Sequence, residues 1–407
     1  MLRAGHGLIL CVVSLLVIGV VMVQSAGLRI VPDRTIDIRE VLLGKQAALA
    51  AMAILTLFIA SRLPVNKLYQ TRGWLNPIPW IVLGSMALLL VVHLPGIGKE
   101  VNGARRWIEL GPIGFQPSEL AKWGFIIVIA WWAARHADSM HLLRRGFLPP
   151  MILLGLACVL IATEDLGTSV LIGTVGVCML IAAGARLWHV SLLIPVGAAG
   201  FVTAVMTSEY RINRLKAFLD PFQDPQGIGY HIIQSMSAIN GGGLAGRGLG
   251  NSVQKFGYLP EDTTDFIFAI ICEELGVMGA AIVVCLYAAL LLGGFSIIRR
   301  LTCPFQSLLG LGVLLTIGFQ ALINMAVVTG MAPTKGIALP LLSAGGTGWI
   351  VTAFSIGLLV SMDRTLAREA ENAKPAFANR IDAPPNATMD QLQDQSDPHP
   401  SVSLGKA

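Results

Sequence analysis

The sequence predicts an all-α polytopic membrane protein with ten transmembrane helices and two long extracytoplasmic loops. Three observations predict it. Of 407 residues, 54% are hydrophobic and 13% charged, whereas ordinary soluble domains carry about 25% charge. Mean hydropathy is +0.70. Apolar runs close to the ~20 residues that a spanning helix needs recur along the chain, with the period of helices rather than of barrel strands.

The first run, 8–23, follows Arg3. Gln24-Ser25-Ala26 is a tolerable cleavage region, but the run is long for a signal core and further spans follow, so an uncleaved helix is expected. The other runs are 42–60, 78–94, 119–134, 147–162, 166–184, 189–207, 266–295, 307–329 and 348–362. Ten spans put both termini on one side. With that side cytoplasmic, the inside loops carry ten Lys and Arg against seven in the short outside loops, as the positive-inside rule favours. Residues 1–362 form the membrane domain. Residues 363–407 read as a cytoplasmic tail, largely disordered, because Pro, Asn, Gln, Asp and Ser leave little to bury.

Several classes are excluded. A net charge of +5, with no basic stripe interleaved with aromatics, gives no nucleic-acid surface. Five of the six cysteines sit in apolar runs, and no CxxC, HExxH or Cys/His cluster occurs. No cofactor held by a protein-built metal site is therefore expected; the residues say nothing on stimulation by divalent cations.

Loops 95–119 and 208–264 are long, without obvious secondary structure, yet rich in Trp, Phe, Tyr, Ile and Leu. Loops of that length are usually functional or disordered, and their apolar content argues against disorder. The second loop ends in LPEDTTDFIFAIICEELGVM, 259–278. Asp265 stands where a membrane helix meets water, and Glu273 and Glu274 stand about two turns deeper. Ionisable groups there are functional candidates by default. Helix capping by Thr264 or Asp265, with the glutamates bonded to neighbouring helices, accounts for them equally well.

Other charges gather at the same face. Glu119 and Lys122 share a helix face at i, i+3, as a structural ion pair or a substrate contact. Arg105 and Arg106 precede Trp107, and an arginine fork suits phosphate just as the group suits an interfacial anchor. Asp165 opens the sixth span as a helix N-terminal acid. Arg211, Arg214 and Lys216 form a basic cluster in the second loop. The glycines of 240–250 offer close-approach backbone that suits a pyrophosphate. They resemble a nucleotide loop, but no strand precedes them and no Walker lysine follows, which argues against ATP. The residues themselves point to an anionic, lipid-linked substrate on one face of a membrane; the reaction does not follow from them.

Longer stretches carry a resemblance. NGARRWIELGPIGFQPSELAK (102–122), DLGTS (165–169), RLKAFLDPFQDPQGIGYHIIQS (214–235), GLGNSVQKFGYLPEDTTDFIFAIICEELG (248–276) and GMAPTKGIALPLLSAGG (330–346) resemble the shape, elongation, division and sporulation (SEDS) family of bacterial membrane proteins, the FtsW/RodA group. The resemblance covers residues 80–362. AFLDPF and GLGNSVQKFGYLP look more like the division branch, FtsW; PGIGKEVNGARRW leans towards the elongation branch, RodA.

The resemblance implies a peptidoglycan glycosyltransferase of the bacterial cytoplasmic membrane. Such proteins polymerise lipid II on the outer face, together with a class B penicillin-binding transpeptidase. It implies Asp265, in TDFIF, as the essential carboxylate. Glu119 and Lys122 match the family's PSE-x-x-K pair, and Arg105, Arg106 and Lys335 fall in segments lining its substrate cavity; Asp165 and Ser343 lie in matching motifs. Asp265 would take the proton of the acceptor 4-hydroxyl, with Arg105, Arg106, Lys122 or Lys335 near the diphosphate. Direct attack on an α-linked donor gives a β-1,4-linked strand.

Three departures stand out. Glu164 replaces the proline before the DLGT aspartate, Ala344 the tyrosine of SYGG, and Asp262-Thr263 the alanine–histidine before TDFIF. Asp262 thus adds a carboxylate that is expected to raise the pKa of one of the two acids. A lipid II flippase is the alternative, but it wants polar groups through the whole depth, and the cytoplasmic ends of the spans are plain. A non-catalytic scaffold for the transpeptidase is a further alternative.

Overall fold

The structure, a computed structural model, describes residues 3–27, 38–71, 76–94, 97–101, 104–110, 113–344 and 346–381. The chain divides into two units, Met1–Asp363 and Arg364–Ala407. The first unit begins with α1 (Ala4–Ala26), α2 (Ile38–Leu43), α3 (Lys45–Ala60), α4 (Val65–Gln70) and α5 (Pro77–Val91). Strands β1 (Gly98–Val101), β2 (Ala104–Leu110) and β3 (Ile113–Phe115) follow, then α6 (Pro117–Arg135), α7 (Leu148–Ala162), α8 (Leu166–Ala182), α9 (Leu187–Ser191) and α10 (Leu193–Met206). Next come α11 (Glu209–Leu219), α12 (Tyr230–Gly242), α13 (Ile267–Ile298), α14 (Pro304–Val328) and α15 (Thr347–Ile381), whose range ends in the second unit.

The apolar runs fall on helices, 42–60 divided between α2 and α3 and 189–207 between α9 and α10. Among the described residues six helices are long and apolar enough to cross a membrane: Ala4–Ala26, Leu143–Ala162, Leu187–Met206, Ile267–Ile298, Pro304–Val328 and Thr347–Asn372. Lys45–Ala60, Pro77–Val91 and Leu166–Ala182 are apolar but shorter. α6 carries Glu119, Lys122 and Arg135 on an otherwise apolar helix. The protein is thus a mostly helical, multi-pass membrane protein. Local chemistry explains several helix starts. Asn76 caps α5, its side chain accepting from the Ile78 N–H at 3.1 Å, and Pro77, Pro117 and Pro304 occupy first-turn positions that need no N–H.

The all-α expectation needs one addition. Loop 95–119, read as lacking secondary structure, contains a three-stranded antiparallel sheet in the order β1-β2-β3. Lys99 pairs with Trp107 and Ile108 with Phe115. Val101 pairs with Ala104 at the end of the β1–β2 ladder. Loop 208–264 likewise contains α11 and α12.

In the helical core α1 packs against α13, α5 against α6, and α14 against α6, α8 and α13. The segment between α14 and α15 is held by this core. Gly19 of α1 meets its backbone so closely that a Cβ there would lie 2.8 Å from the Leu341 carbonyl oxygen. The Tyr287 hydroxyl of α13 donates to the Pro340 carbonyl.

The glycines of 240–250, expected near a pyrophosphate, do something else. α13 is broken at Gly276, whose φ is 66° and ψ −164°. The freed backbone pairs with the glycine-rich segment: Arg247 N–H donates to Glu273 O at 3.0 Å and Gly248 N–H to Glu274 O at 2.9 Å. Val277 N–H donates to Gly243 O at 3.0 Å. A Cβ at Gly242 would sit 1.9 Å from the Cys272 carbonyl oxygen. These glycines allow two backbones to touch where a membrane helix needs new hydrogen-bond partners.

Glu273 and Glu274, 1% and 0% exposed, are fully bonded within the protein. Glu274 accepts from Ser25 Oγ at 2.7 Å and pairs with Lys255 at 3.4 Å. Glu273 accepts from Ser252 Oγ at 2.5 Å and from the Val253 N–H at 3.1 Å. They fasten α1 and the 250–255 segment to α13, which is the structural reading of this acidic pair.

Candidate functional site

A cavity of about 710 Å³ opens in the first unit, lined by both polar loops and the ends of several helices. β2 contributes Arg106 and Trp107, α6 Glu119, α11 Tyr210 and Arg214, and α12 His231. Glu261, Thr264 and Asp265 come from the turn ahead of α13, Gln320 from α14, and residues 336–341, Ser343 and Ala344 from the segment before α15.

Asp265 lies two residues before α13, in a turn closed by N–H groups of Thr264 and Phe266 donating to Glu261 O at 3.1 Å. Its side chain makes no helix cap: among the described residues, none donates to its carboxylate. The backbone of α13 starts with Phe266 at its N-cap and no side-chain cap bond. The carboxylate instead faces Gly336 and Arg106. A Cβ built on Gly336 would lie 3.3 Å from Asp265 Oδ2 and 3.6 Å from Arg106 Nη1. Burial pushes the Asp265 pKa up to about 7, with the Glu261 charge adding to it and Arg214 opposing.

Asp262 is also raised, to about 6, by burial first and by Glu261. The expected coupling between Asp262 and Asp265 is therefore replaced by Glu261 acting on both. Glu261 has φ 58°, an unusual backbone for a non-glycine residue, and its carboxylate accepts from Thr264 Oγ1 at 2.8 Å.

The remaining sequence candidates fall around this centre. Glu119 and Lys122 pair at 2.8 Å, with Lys122 2% exposed. Lys122 also donates to Gln320 Oε1 at 3.0 Å, so its three donors are directed inward at Glu119 and Gln320 and it does not line the cavity. Arg106 lines the cavity, and among the described residues its buried Nε has no partner. The side chain of Arg105 lies outside the described residues. Asp165 caps α8, accepting from the Thr168 N–H at 3.0 Å and Thr168 Oγ1 at 2.7 Å; its charge reaches both Asp265 and Lys335. Lys335 lies beside the cavity-lining Gly336, its ammonium 5.9 Å from the Phe201 ring, and burial lowers its pKa. Ser343, 1% exposed, turns its hydroxyl to the Leu339 N–H at 2.7 Å and shapes the cavity wall.

Sequence reasoning missed Gln320 and Asn324. Two amides four apart in an apolar run were the available signal, because uncharged polar groups inside a membrane helix need partners on neighbouring elements. It placed Arg214 in a basic cluster without assigning it to the site. Arg214 lines the cavity and donates to Thr334 O at 3.1 Å and to the Tyr210 hydroxyl. Among the described residues no group of three or more His, Cys, Asp or Glu is arranged to hold a metal ion.

A family described as cell cycle proteins, FtsW, RodA and SpoVE, matches residues 6–368. The "Probable peptidoglycan glycosyltransferase FtsW" of Thioalkalivibrio sulfidiphilus is 39% identical over 367 residues, 89% of this chain and 90% of that protein. The protein of the same name from Alkalilimnicola ehrlichii is 40% identical over 377 residues, 92% of each. Among solved structures, a chain of a peptidoglycan synthase complex, described for the structural coordination of polymerization and crosslinking, superposes with a TM-score of 0.69 at 28% identity, covering 89% of this chain and 98% of that one. The rod shape determining protein RodA of Thermus thermophilus gives 0.59 at 25% identity, covering 88% and 96%.

Proposed function

The chain belongs to the FtsW, RodA and SpoVE family of cell cycle proteins, and from this we propose that it is a peptidoglycan glycosyltransferase, polymerising lipid II into β-1,4-linked glycan on the outer face of the bacterial cytoplasmic membrane. The observation that carries the site assignment is the Asp265 carboxylate, raised to about 7 and facing Arg106 across Gly336 in a polar cavity.

A sugar hydroxyl is a poor nucleophile at neutral pH. A carboxylate with a pKa near 7 is about half ionised there and accepts a proton readily, a combination that contributes about 10²–10⁴-fold in general-base catalysis. Asp265 takes the proton of the acceptor hydroxyl as its oxygen attacks the donor sugar. The leaving diphosphate gains charge, and Arg106 and Arg214, both on the cavity wall, stabilise it. Lys335 adds positive charge beside the wall. Glu119 and Lys122 hold the α6 side of the cavity, and Asp165 and Ser343 fix the ends of the elements around it. The reaction draws on no cofactor in this reading.

Ten spans, with both termini cytoplasmic, bring the two polar loops to the outer face where this chemistry takes place. Residues 363–407 are a tail that polymerisation does not need. The partner is a class B penicillin-binding transpeptidase; that the matched structure is a synthase complex described for polymerization and crosslinking supports this reading. Purified protein, alone and with candidate transpeptidases, should convert lipid II into glycan chains. Lipid II translocated across vesicles without polymer would instead establish a flippase. Polymer made equally well by Asp265→Asn would overturn the assignment of the base.

A further inference from the structure

Gln320 and Asn324 stand one turn apart on one face of α14, 7% and 1% exposed. Asn324 Nδ2 donates to two backbone oxygens, that of Asp265 at 2.8 Å and that of Ile337 at 2.8 Å. Gln320 accepts from Lys122 and donates through Nε2 to Ala338 O at 2.9 Å. The amide orientation of Asn324 follows from its partners, since exchanging its oxygen and nitrogen would set an acceptor against two carbonyl oxygens.

We propose that Asn324 is a positioning residue for the Asp265 carboxylate, tying the turn that carries Asp265 to the segment that carries Gly336. Neither segment holds itself in register. Residues 261–266 form an irregular turn, and 333–339 lack regular secondary structure. Asn324 is the rigid point between them, because it projects from a long helix packed on α6, α8 and α13. With both carbonyls on one NH₂ group, the backbones of Asp265 and Ile337 keep a fixed separation, and with it the approach of Oδ2 to Gly336. Gln320 makes the parallel tie one residue further along, from Ala338 to the Glu119–Lys122 pair.

The titratable and charged groups around Asp265 come from five elements: Glu261 in its own turn, Arg214 on α11, Asp165 at the start of α8, Arg106 on β2 and, on the cavity wall, His231 on α12, whose pKa burial lowers. A loosened turn lets water reach the carboxylate and so weakens the desolvation that is the largest cause of its raised pKa, which therefore falls. The inference rests on Asp265 being the base, and the test separates the two.

Asn324→Leu keeps the branching and the number of side-chain heavy atoms and removes the donor. Ser235→Ala serves as the comparison, since Ser235 Oγ donates to Val328 O at 2.7 Å, another buried bond to α14 away from the cavity. Two readouts apply to full-length protein. The first is glycan synthesis from lipid II across pH; the second is labelling of the Asp265 carboxyl by an apolar carbodiimide, read by mass spectrometry, which needs no activity. Asn324→Leu should lose about 10²-fold in turnover, the scale of a 1 Å misplacement, and its labelling midpoint should move to lower pH than the wild type's. Ser235→Ala should share any loss of melting temperature but move neither. The proposal is overturned by an unchanged labelling midpoint in Asn324→Leu, or by equal midpoint shifts in both variants. A shifted midpoint in a protein whose Asp265→Asn variant still polymerises would leave the positioning intact and refute the base.

Discussion

Gly336 stands directly against the Asp265 carboxylate: a Cβ at position 336 would come within 3.3 Å of Oδ2, and within 3.6 Å of Arg106 Nη1. The first distance is inside ordinary van der Waals contact, so any side chain here must push the carboxylate aside by a few tenths of an ångström. Gly336→Ala should therefore lower glycan synthesis by about tenfold, since small misplacements of reacting groups are expensive, while melting temperature stays near wild type. Equal activity in the alanine variant would show that the cavity tolerates a displaced carboxylate and that the Gly336 contact is incidental.

Asp265 and Asp262 should separate cleanly on substitution. Asp265→Asn keeps the shape and removes the base, and polymer formation should fall by at least about 10²-fold. Asp262→Asn should cost little, because Asp262 does not line the cavity. The two activities, measured at equal amounts of folded protein, check the assignment, and the reverse order would transfer the role to Asp262.

The pH dependence follows from the raised pKa of about 7 at Asp265. The base works ionised, so activity should climb as pH rises through about 7 and fall about tenfold for each pH unit below it. Glu261→Gln removes the second cause of the rise and should move this acid limb downward, leaving more of the maximal rate at pH 6. Stability runs the other way. A carboxyl whose folded pKa lies above its unfolded value of about 3.9 contributes stability at low pH that is lost as pH rises through about 7. Asp265→Asn should therefore melt no lower than wild type at pH 8, and thermal melting of both proteins checks this.

Gly246 should resist substitution for reasons remote from chemistry. Its φ is +78°, and a Cβ would lie 2.2 Å from the Glu274 carbonyl oxygen. Gly246→Val should destabilise the protein by more than the ~1–3 kcal/mol of a strained backbone alone, because the contact with the α13 break must also open. Reduced melting temperature and poor accumulation are expected, with any folded fraction retaining turnover. Normal stability would mean the 243–248 segment is not needed to partner the broken helix.

Sequence alone determined the membrane class, the helical character of the apolar runs, and the cluster of charges that ends up around one cavity. These features are local or additive. Hydrophobicity accumulates along a run whatever its neighbours do, and a carboxylate at the edge of an apolar run is conspicuous by itself. Tertiary structure decided what each charge is for. Glu273 and Asp265 are both acids in one stretch, yet Glu273 is bonded by Ser252, Val253 and Arg247 while Asp265 faces a cavity with Arg106. Glycines that looked suited to phosphate instead meet the backbone of α13 at Gly276, because only the folded chain shows where a helix is broken and which segment supplies its missing hydrogen bonds. Asn324 and Gln320 read as two polar interruptions of an apolar span, and their partners lie as far as 59 and 198 residues away in the chain. A hydrogen bond needs its partner within about 3 Å, and one-dimensional spacing carries no such distance between residues brought together only by packing.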